Sequence, residues 1–410
     1  MPLSINIRFR LLAIIILGLI LLGAGAVKLR RWQSQRNIEN SLVEGLAAFD
    51  RQDWPKAAQL LGRYVGRNIE RCSDPEVATI CRQFAEAHLS IQPPQAATIS
   101  TAISTYRRLL RDGAFDIAIC ERLAFLYQAT GDLIELQYTA DRLAEYEPTN
   151  PLVAFWRAQA AIGKNDSETA ISELGALIQQ LEGDPNRTPE YVRACVMMAS
   201  IDSVKQSGRA RTWLDRAITR DPKSPDPRLA RARLLRNLAR FQPTAARAEL
   251  FEAIQQDLTV AMQFPSASAM TRLGLSEELR LRGQFDLAES QIRLARELPL
   301  EQVKDYYLDV ADWRVDCGIQ SIRIKTSQGK TAEAATEAQE LLGGLSAPHN
   351  RLEILPMAVE LLATTDRVSA ARELLNEYKE MVPVVDLQTD ARCPPRGIRP
   401  AGRGPAISCY

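Results

Sequence analysis

The fold is decided by the stretch Leu123-Ala-Phe-Leu-Tyr127, Gly131-Asp132-Leu133, Ala140 and Leu143, closed by Pro148. Apolar residues recur at helical spacing on both sides of a Gly-Asp break, the pattern of two amphipathic helices joined by a tight turn. Glycine supplies the left-handed conformation such a turn needs. Proline follows a helix end, where its missing amide donor costs least. The unit recurs in both directions. Upstream stand Gly45-Leu-Ala-Ala-Phe49, Gln52-Asp53-Trp54, then Ala57, Leu61 and Tyr64. Downstream stand Leu279, Gly283-Gln284-Phe285, Ala288, Ile292 and Ala295, ending at Pro299. The last clear copy is Ala358, Leu361, Thr365-Asp366-Arg367, Ala370 and Leu374, ending at Pro383.

Weaker copies fill the gaps. Ala96-Ala97 through Leu110 reads as a second helix, and Ala154 to Leu177 as a pair turning at Lys164-Asn165-Asp166. Met198 to Ala217 ends in Asp221-Pro222, and Ile322 to Leu341 turns at Gln328-Gly329-Lys330. Anchors at Ala57, Ala97, Leu136, Ala170, Ala210, Ala288, Ala334 and Ala370 are spaced by about 34 to 40 residues, with one doubled interval. The segment from Arg228 to Pro265 departs most. Its first helix is predicted over Leu229 to Phe241, but Gln242-Pro243-Thr244 leaves two registers open for the second.

These residues resemble the tetratricopeptide repeat family over about residues 37–382. The resemblance implies an all-α, right-handed solenoid of roughly nine helical hairpins, with the first helix of each pair lining a concave groove for a protein or peptide partner. It is similar to bacterial membrane-anchored members that assist assembly of envelope-associated complexes. The expected organisation is a short tail at 1–10, a membrane helix at 11–27 and a basic linker at 28–36. The repeats follow at 37–382, and a Pro/Gly/Arg-rich tail without hydrophobic period, expected to be disordered, occupies 383–410.

From Leu11 to Val27 every residue is apolar or glycine. As a helix this run covers about 25 Å, close to the hydrocarbon thickness of a bilayer. Leu11, Ile15, Leu19, Leu22 and Val27 are the expected anchor, with the Trp32 indole at headgroup level. The competing reading is a cleaved signal peptide with Arg8 and Arg10 at its start and Ala24-Gly25-Ala26 at its end. Lys28, Arg30 and Arg31 follow at once and oppose it, since positive charge there hinders translocation. Positive charge is nearly balanced across the segment and leans slightly towards repeats in the cytoplasm, whereas a short amino-terminal tail most simply stays inside and sends the repeats out; the second orientation is the expectation.

A chain of 410 residues with 46% hydrophobic and 25% charged residues suits an ordered protein. Its net charge of +1 gives no global field to gather nucleic acid. Seven scattered cysteines contain no CxxC pair, so neither zinc nor a disulfide framework is indicated, although Cys72 and Cys81 could meet across a bend. His88 reads as a solvated or core-edge residue, and His349 as part of a loop. No phosphate-binding glycine loop and no GxSxG occurs. Glu277 and Glu278 are adjacent on a helix and face different ways, so they form no acid/base pair. No catalytic residue, metal, cofactor or small-molecule substrate is expected.

One charge feature stands out. Basic residues greatly outnumber acidic ones from Lys205 to Arg247, and Glu249 to Asp312 is acid-rich. Arg233, Arg236 and Arg240, with Asn237 beside them, share one face of a helix opposite Leu234 and Leu238. They are the candidate partner-binding residues, because guanidinium binds a carboxylate in bidentate fashion. The alternative is a solvated face balanced by the acidic neighbours. Two rival functions also remain at this stage: a signal-cleaved extracytoplasmic binding protein, and the non-catalytic part of a longer enzyme.

Overall fold

The computed structural model describes residues 28–381 except 29, 31, 34, 93, 114, 266, 305, 346 and 347. The predicted anchor residues Leu11, Ile15, Leu19, Leu22 and Val27, and the 383–410 tail, lie outside the described residues. Among the described residues no helix is long and apolar enough to cross a membrane.

The described chain is all helical, and its helices follow one another in nine pairs: α1 (35–50) with α2 (Trp54–Asn68), α3 (Pro75–Ser90) with α4 (Ala96–Asp112), and α5 (Ile117–Thr130) with α6 (Leu133–Tyr146). Then come α7 (Pro151–Gly163) with α8 (Ser167–Leu181), α9 (Thr188–Lys205) with α10 (Ser207–Arg220), and α11 (Pro225–Ala239) with α12 (Thr244–Met262). The last are α13 (Ala269–Leu281) with α14 (Phe285–Arg296), α16 (Val310–Ser327) with α17 (Thr331–Gly343), and α18 (Pro348–Thr364) with α19 (Val368–Met381). The short α15 (Leu300–Lys304), unforeseen in the sequence, sits in the connector before α16.

Six pairs share one joint. Gln52, Gly131, Asn165, Gly283, Gly329 and Asp366 all take φ between 58° and 78°. The amide of the following residue donates back to a carbonyl five residues earlier, as in Asp132 to Tyr127 at 2.9 Å and Gln284 to Leu279 at 2.9 Å. This is the Schellman closure of the first helix. The same residue then begins the second helix by accepting from the amide four residues on, Leu136 to Asp132 at 3.0 Å and Ala288 to Gln284 at 3.0 Å. That donor is also the buried contact residue of the pair: Ala57, Leu136, Ala170, Ala288 and Ala334 are all 0% exposed. Asp132 and Asp166 add side-chain caps, accepting from the amides of Glu135 and Thr169.

Gly131→Ala forces a side chain into the left-handed region and is expected to cost about 1 kcal/mol. Gly175→Ala, inside α8 with no neighbour nearer than 3.9 Å to the added carbon, should gain about 0.5 kcal/mol. Opposite shifts in the denaturation midpoint check the pair; shifts of one sign would contradict the joint geometry.

Two anchors move. Ala97 is exposed in the first turn of α4, and Ala102 is the buried residue there. Ala370 is half-buried while Ala371 is only 6% exposed. The α11 helix begins at Pro225, ahead of the predicted Leu229, because proline is tolerated in a first turn, where amides lack partners anyway. His349 belongs to the first turn of α18 and not to a loop.

The chain divides into two compact units, one up to Leu123 and one from Ala124 onward. In the first, α3 packs on both α2 and α4. Ala48, Ala57, Ala58 and Ala87 form a small-residue core edged by Phe49 and Trp54, whose rings meet edge-on at 5.3 Å. Glu86 accepts from the Tyr106 hydroxyl and from the Arg122 fork at 2.9 and 3.1 Å. Cys72 and Cys81 are free and buried, and burial together with the neighbouring Cys72 pushes the Cys81 thiol up to about 11. His88 sits at the core edge, its ring edge-on to Phe84 at 4.6 Å, and burial lowers its pKa.

In the second unit each helix packs on the next, from α6 to α14 and again from α16 to α19, while α14 meets α16. First helices also meet one another, α9 with α11, α11 with α13, α13 with α16 and α16 with α18. They therefore form a continuous layer. One core beneath it joins Leu235, Ile254, Leu258, Leu275, Leu279, Ile292 and Trp313, from α11 to α14 and α16.

Candidate functional site

The candidate residues lie on that layer, where α11, α13 and α16 meet. On α11, Leu234 and Leu235 are buried, which carries Arg233 and Arg236 to the side facing α13. Glu278 of α13 is only 1% exposed. The Arg236 fork donates to its two carboxylate oxygens at 2.8 and 3.1 Å, and Arg233 Nε stands 3.6 Å from one of them. Gly274 makes room for this arrangement: a β-carbon there would lie 2.3 Å from an Arg233 nitrogen. Burial pushes the Arg233 pKa below its ordinary value, with Glu278 opposing and Arg236 adding to the shift.

The adjacent Glu277 faces a different partner, accepting from the Arg280 fork at 2.8 and 2.9 Å. Burial would raise its carboxyl, but Arg280, with the charges of Arg323 and Arg236, holds it below the ordinary value. The stability it contributes is therefore present at neutral pH and lost as pH falls through that lowered value. Arg280 also donates to the Ser327 hydroxyl of α16 at 2.9 Å. Burial raises the Asp226 carboxyl at the start of α11, where the Thr271 hydroxyl donates to it.

The structure brings Arg233 and Arg236 together on one buried carboxylate. Asn237 and Arg240 are exposed and take no part in that pairing. Much of the basic run is met by acids of neighbouring helices. The Arg231 fork donates to Asp257 at 2.6 and 2.8 Å and reaches Asp215 at 2.6 Å, while Arg228 stands 3.5 Å from Asp257. Arg209 donates to Asp202 at 2.5 and 2.6 Å, and the Trp213 indole joins it at 3.0 Å. Arg216 pairs with Glu182 at 2.5 Å.

The sequence reading missed these acceptors. Asp202, Asp257 and Glu278 are 3%, 1% and 1% exposed. Each occupies a position of the apolar stripe of its helix, three or four residues from Met198 and Ala199, from Ile254 and Ala261, or from Leu275. A carboxylate in such a stripe is the signal that could have found them, because burial without a cation beside it is too costly.

Among the described residues no three His, Cys, Asp or Glu side chains converge as a metal set. Trp32 of the predicted anchor group is 54% exposed, with the Arg36 guanidinium 5.3 Å from its ring.

Nine helical hairpins among the described residues, six of them closed by one shared joint, define an all-α repeat protein. No known family model matches the chain, and no curated protein sequence matches it. Solved structures similar to it include a tetratricopeptide repeat protein from Parabacteroides merdae ATCC 43184, with a TM-score of 0.44 and 13% identity over 67% of this chain and 98% of that one. The APC/C hetero-tetramer Cut9-Hcn1 gives 0.43 and 9% over 84% and 73%, and yeast Tom70 gives 0.36 and 11% over 85% of each chain. These neighbours are tetratricopeptide-type repeat proteins.

Proposed function

We propose that this chain is a membrane-anchored helical-repeat scaffold that docks an acidic segment or carboxylate terminus of a protein partner on its layer of first helices. One observation carries the reading. Arg233, Arg236 and Arg280 gather at the α11–α13–α16 contact, with the charge of Arg323 added, and among the described residues three carboxylates, Glu277, Glu278 and Asp226, stand against these four guanidinium groups. Arg240 follows Arg236 one turn later and is exposed. The surplus of guanidinium groups favours an anionic partner, and Arg240 with Asn237 offers donors not committed to the buried pair.

Leu11–Val27 supplies a single span, and the reading sets the repeats on the extracytoplasmic side, where such scaffolds assist assembly of an envelope complex. Anchoring raises the local concentration of the docking face for partners in the same membrane. Arg233→Glu with Arg236→Glu is a poor test, because it places new carboxylates beside buried Glu278 and perturbs stability. Asn237→Asp with Arg240→Glu leaves the buried pair intact. That variant is expected to reduce recovery of crosslinked partners about tenfold, the scale of a modest hot spot. Unchanged recovery with an unchanged melting temperature would reject the docking face.

A further inference from the structure

We propose that the chain holds an anionic phospholipid by its phosphodiester headgroup in a cleft between the start of α1 and α2, a site that rests on reading Leu11–Val27 as a membrane span. The cleft has a volume of about 400 Å³ and is lined by Arg30, Gln33, Asn37, Ile38, Ser41 and Arg63. No carboxylate is among those side chains. Both arginines are exposed and come from different parts of the chain, Arg30 ahead of α1 and Arg63 from α2. Two guanidinium forks with amide donors from Gln33 and Asn37 suit the oxygens of a phosphate.

The covalent chain fixes which phosphate is nearest. Arg30 is three residues beyond Val27, so even a fully extended link reaches no more than about 11 Å. The headgroup layer is about 5 to 8 Å thick on each side of the hydrocarbon. An arginine so tethered stays at the lipid surface whatever the tilt of the span. Trp32 is 54% exposed, with the Arg36 guanidinium stacked 5.3 Å from its ring. Indole and guanidinium together suit the interface between headgroups and acyl chains. The cleft thus adds lipid selectivity to an anchor that apolar length alone would leave indifferent to headgroup.

The test uses the full chain in phosphatidylcholine vesicles carrying equal amounts of either brominated phosphatidylglycerol or brominated phosphatidylcholine. Trp32 emission, isolated by difference from Trp32→Phe, reports which lipid sits beside the cleft. Phosphatidylglycerol should be enriched about fivefold for each arginine, so its bromines quench more strongly. The preference should fall about 25-fold in Arg30→Gln with Arg63→Gln, to the level that the remaining basic residues of the linker supply, whereas Arg31→Gln with Arg36→Gln should leave a larger preference. Equal quenching by both lipids in the unmodified chain, or a preference that Arg30→Gln with Arg63→Gln lowers no more than Arg31→Gln with Arg36→Gln, overturns the proposal. Inorganic phosphate that abolishes the preference at constant ionic strength assigns the cleft to free phosphate and overturns the lipid. Quenching by neither lipid overturns the span itself, a result distinct from parity.

Discussion

Glu278→Gln is expected to lower the unfolding free energy by about 3 kcal/mol, because it leaves two half-buried guanidinium groups without their counter-charge. Arg233 and Arg236 both close on this one carboxylate, which is 1% exposed. Glutamine preserves the size of the side chain but removes the charge, so Arg233 and Arg236 then repel each other across a poorly hydrated contact. Arg233 is already desolvated enough to lower its pKa with Glu278 present. Adding Arg236→Met to Glu278→Gln should recover a substantial part of the loss, since removing the second charge relieves the repulsion. Equilibrium denaturation of the single and double variants measures the coupling. A loss below about 1 kcal/mol for Glu278→Gln would mean the pair acts like an exposed ion pair, and the account of this contact would fall.

Phe155→Ala should cost about 3 to 5 kcal/mol, the range for removing a buried aromatic ring. Phe155 is 1% exposed and lies in a core with Leu174, Leu177, Ile178, Tyr191, Cys195 and Met198, drawn from α8 and α9 as well as α7. The Arg193 guanidinium covers its ring at 4.4 Å. In an array stabilised by contacts between successive pairs, a cavity at one junction weakens the coupling between its two sides. The unfolding transition should therefore shift and also broaden or split. A sharp single transition displaced by under 1 kcal/mol would contradict a core placed at this junction.

The pairs and their turns were legible because the joint demands particular chemistry. Gly131, Gly283 and Gly329 accept positive φ without strain, and Asn165, Gln52 and Asp366 stand in the same position. A buried aliphatic residue, alanine in five of the six, recurs five places later because the start of the second helix is buried against the first. Legibility failed where that chemistry is absent. The turn between α11 and α12 has no positive-φ residue, and α12 stays largely exposed until Ile254, so the apolar period starts too late to set a register. Ala97 misled because the first turn of α4 is solvated. The candidate arginines were found by composition, but their partners could not be: Glu278 is 42 residues from Arg236, and only the packing of α13 on α11 brings the charges together.

The joint also has a consequence for how the array varies in length. In the six pairs that share it, one residue ends the first helix and starts the second, so the two members form a fixed elbow that cannot accept an added residue without losing both closures. Variable length falls to the links between pairs, which hold the 3-10 turns at Ile69–Arg71 and Pro185–Arg187 and the short α15. A period that drifts between neighbouring copies is then set by the links and by the turns that lack the joint, while the six elbows keep their geometry.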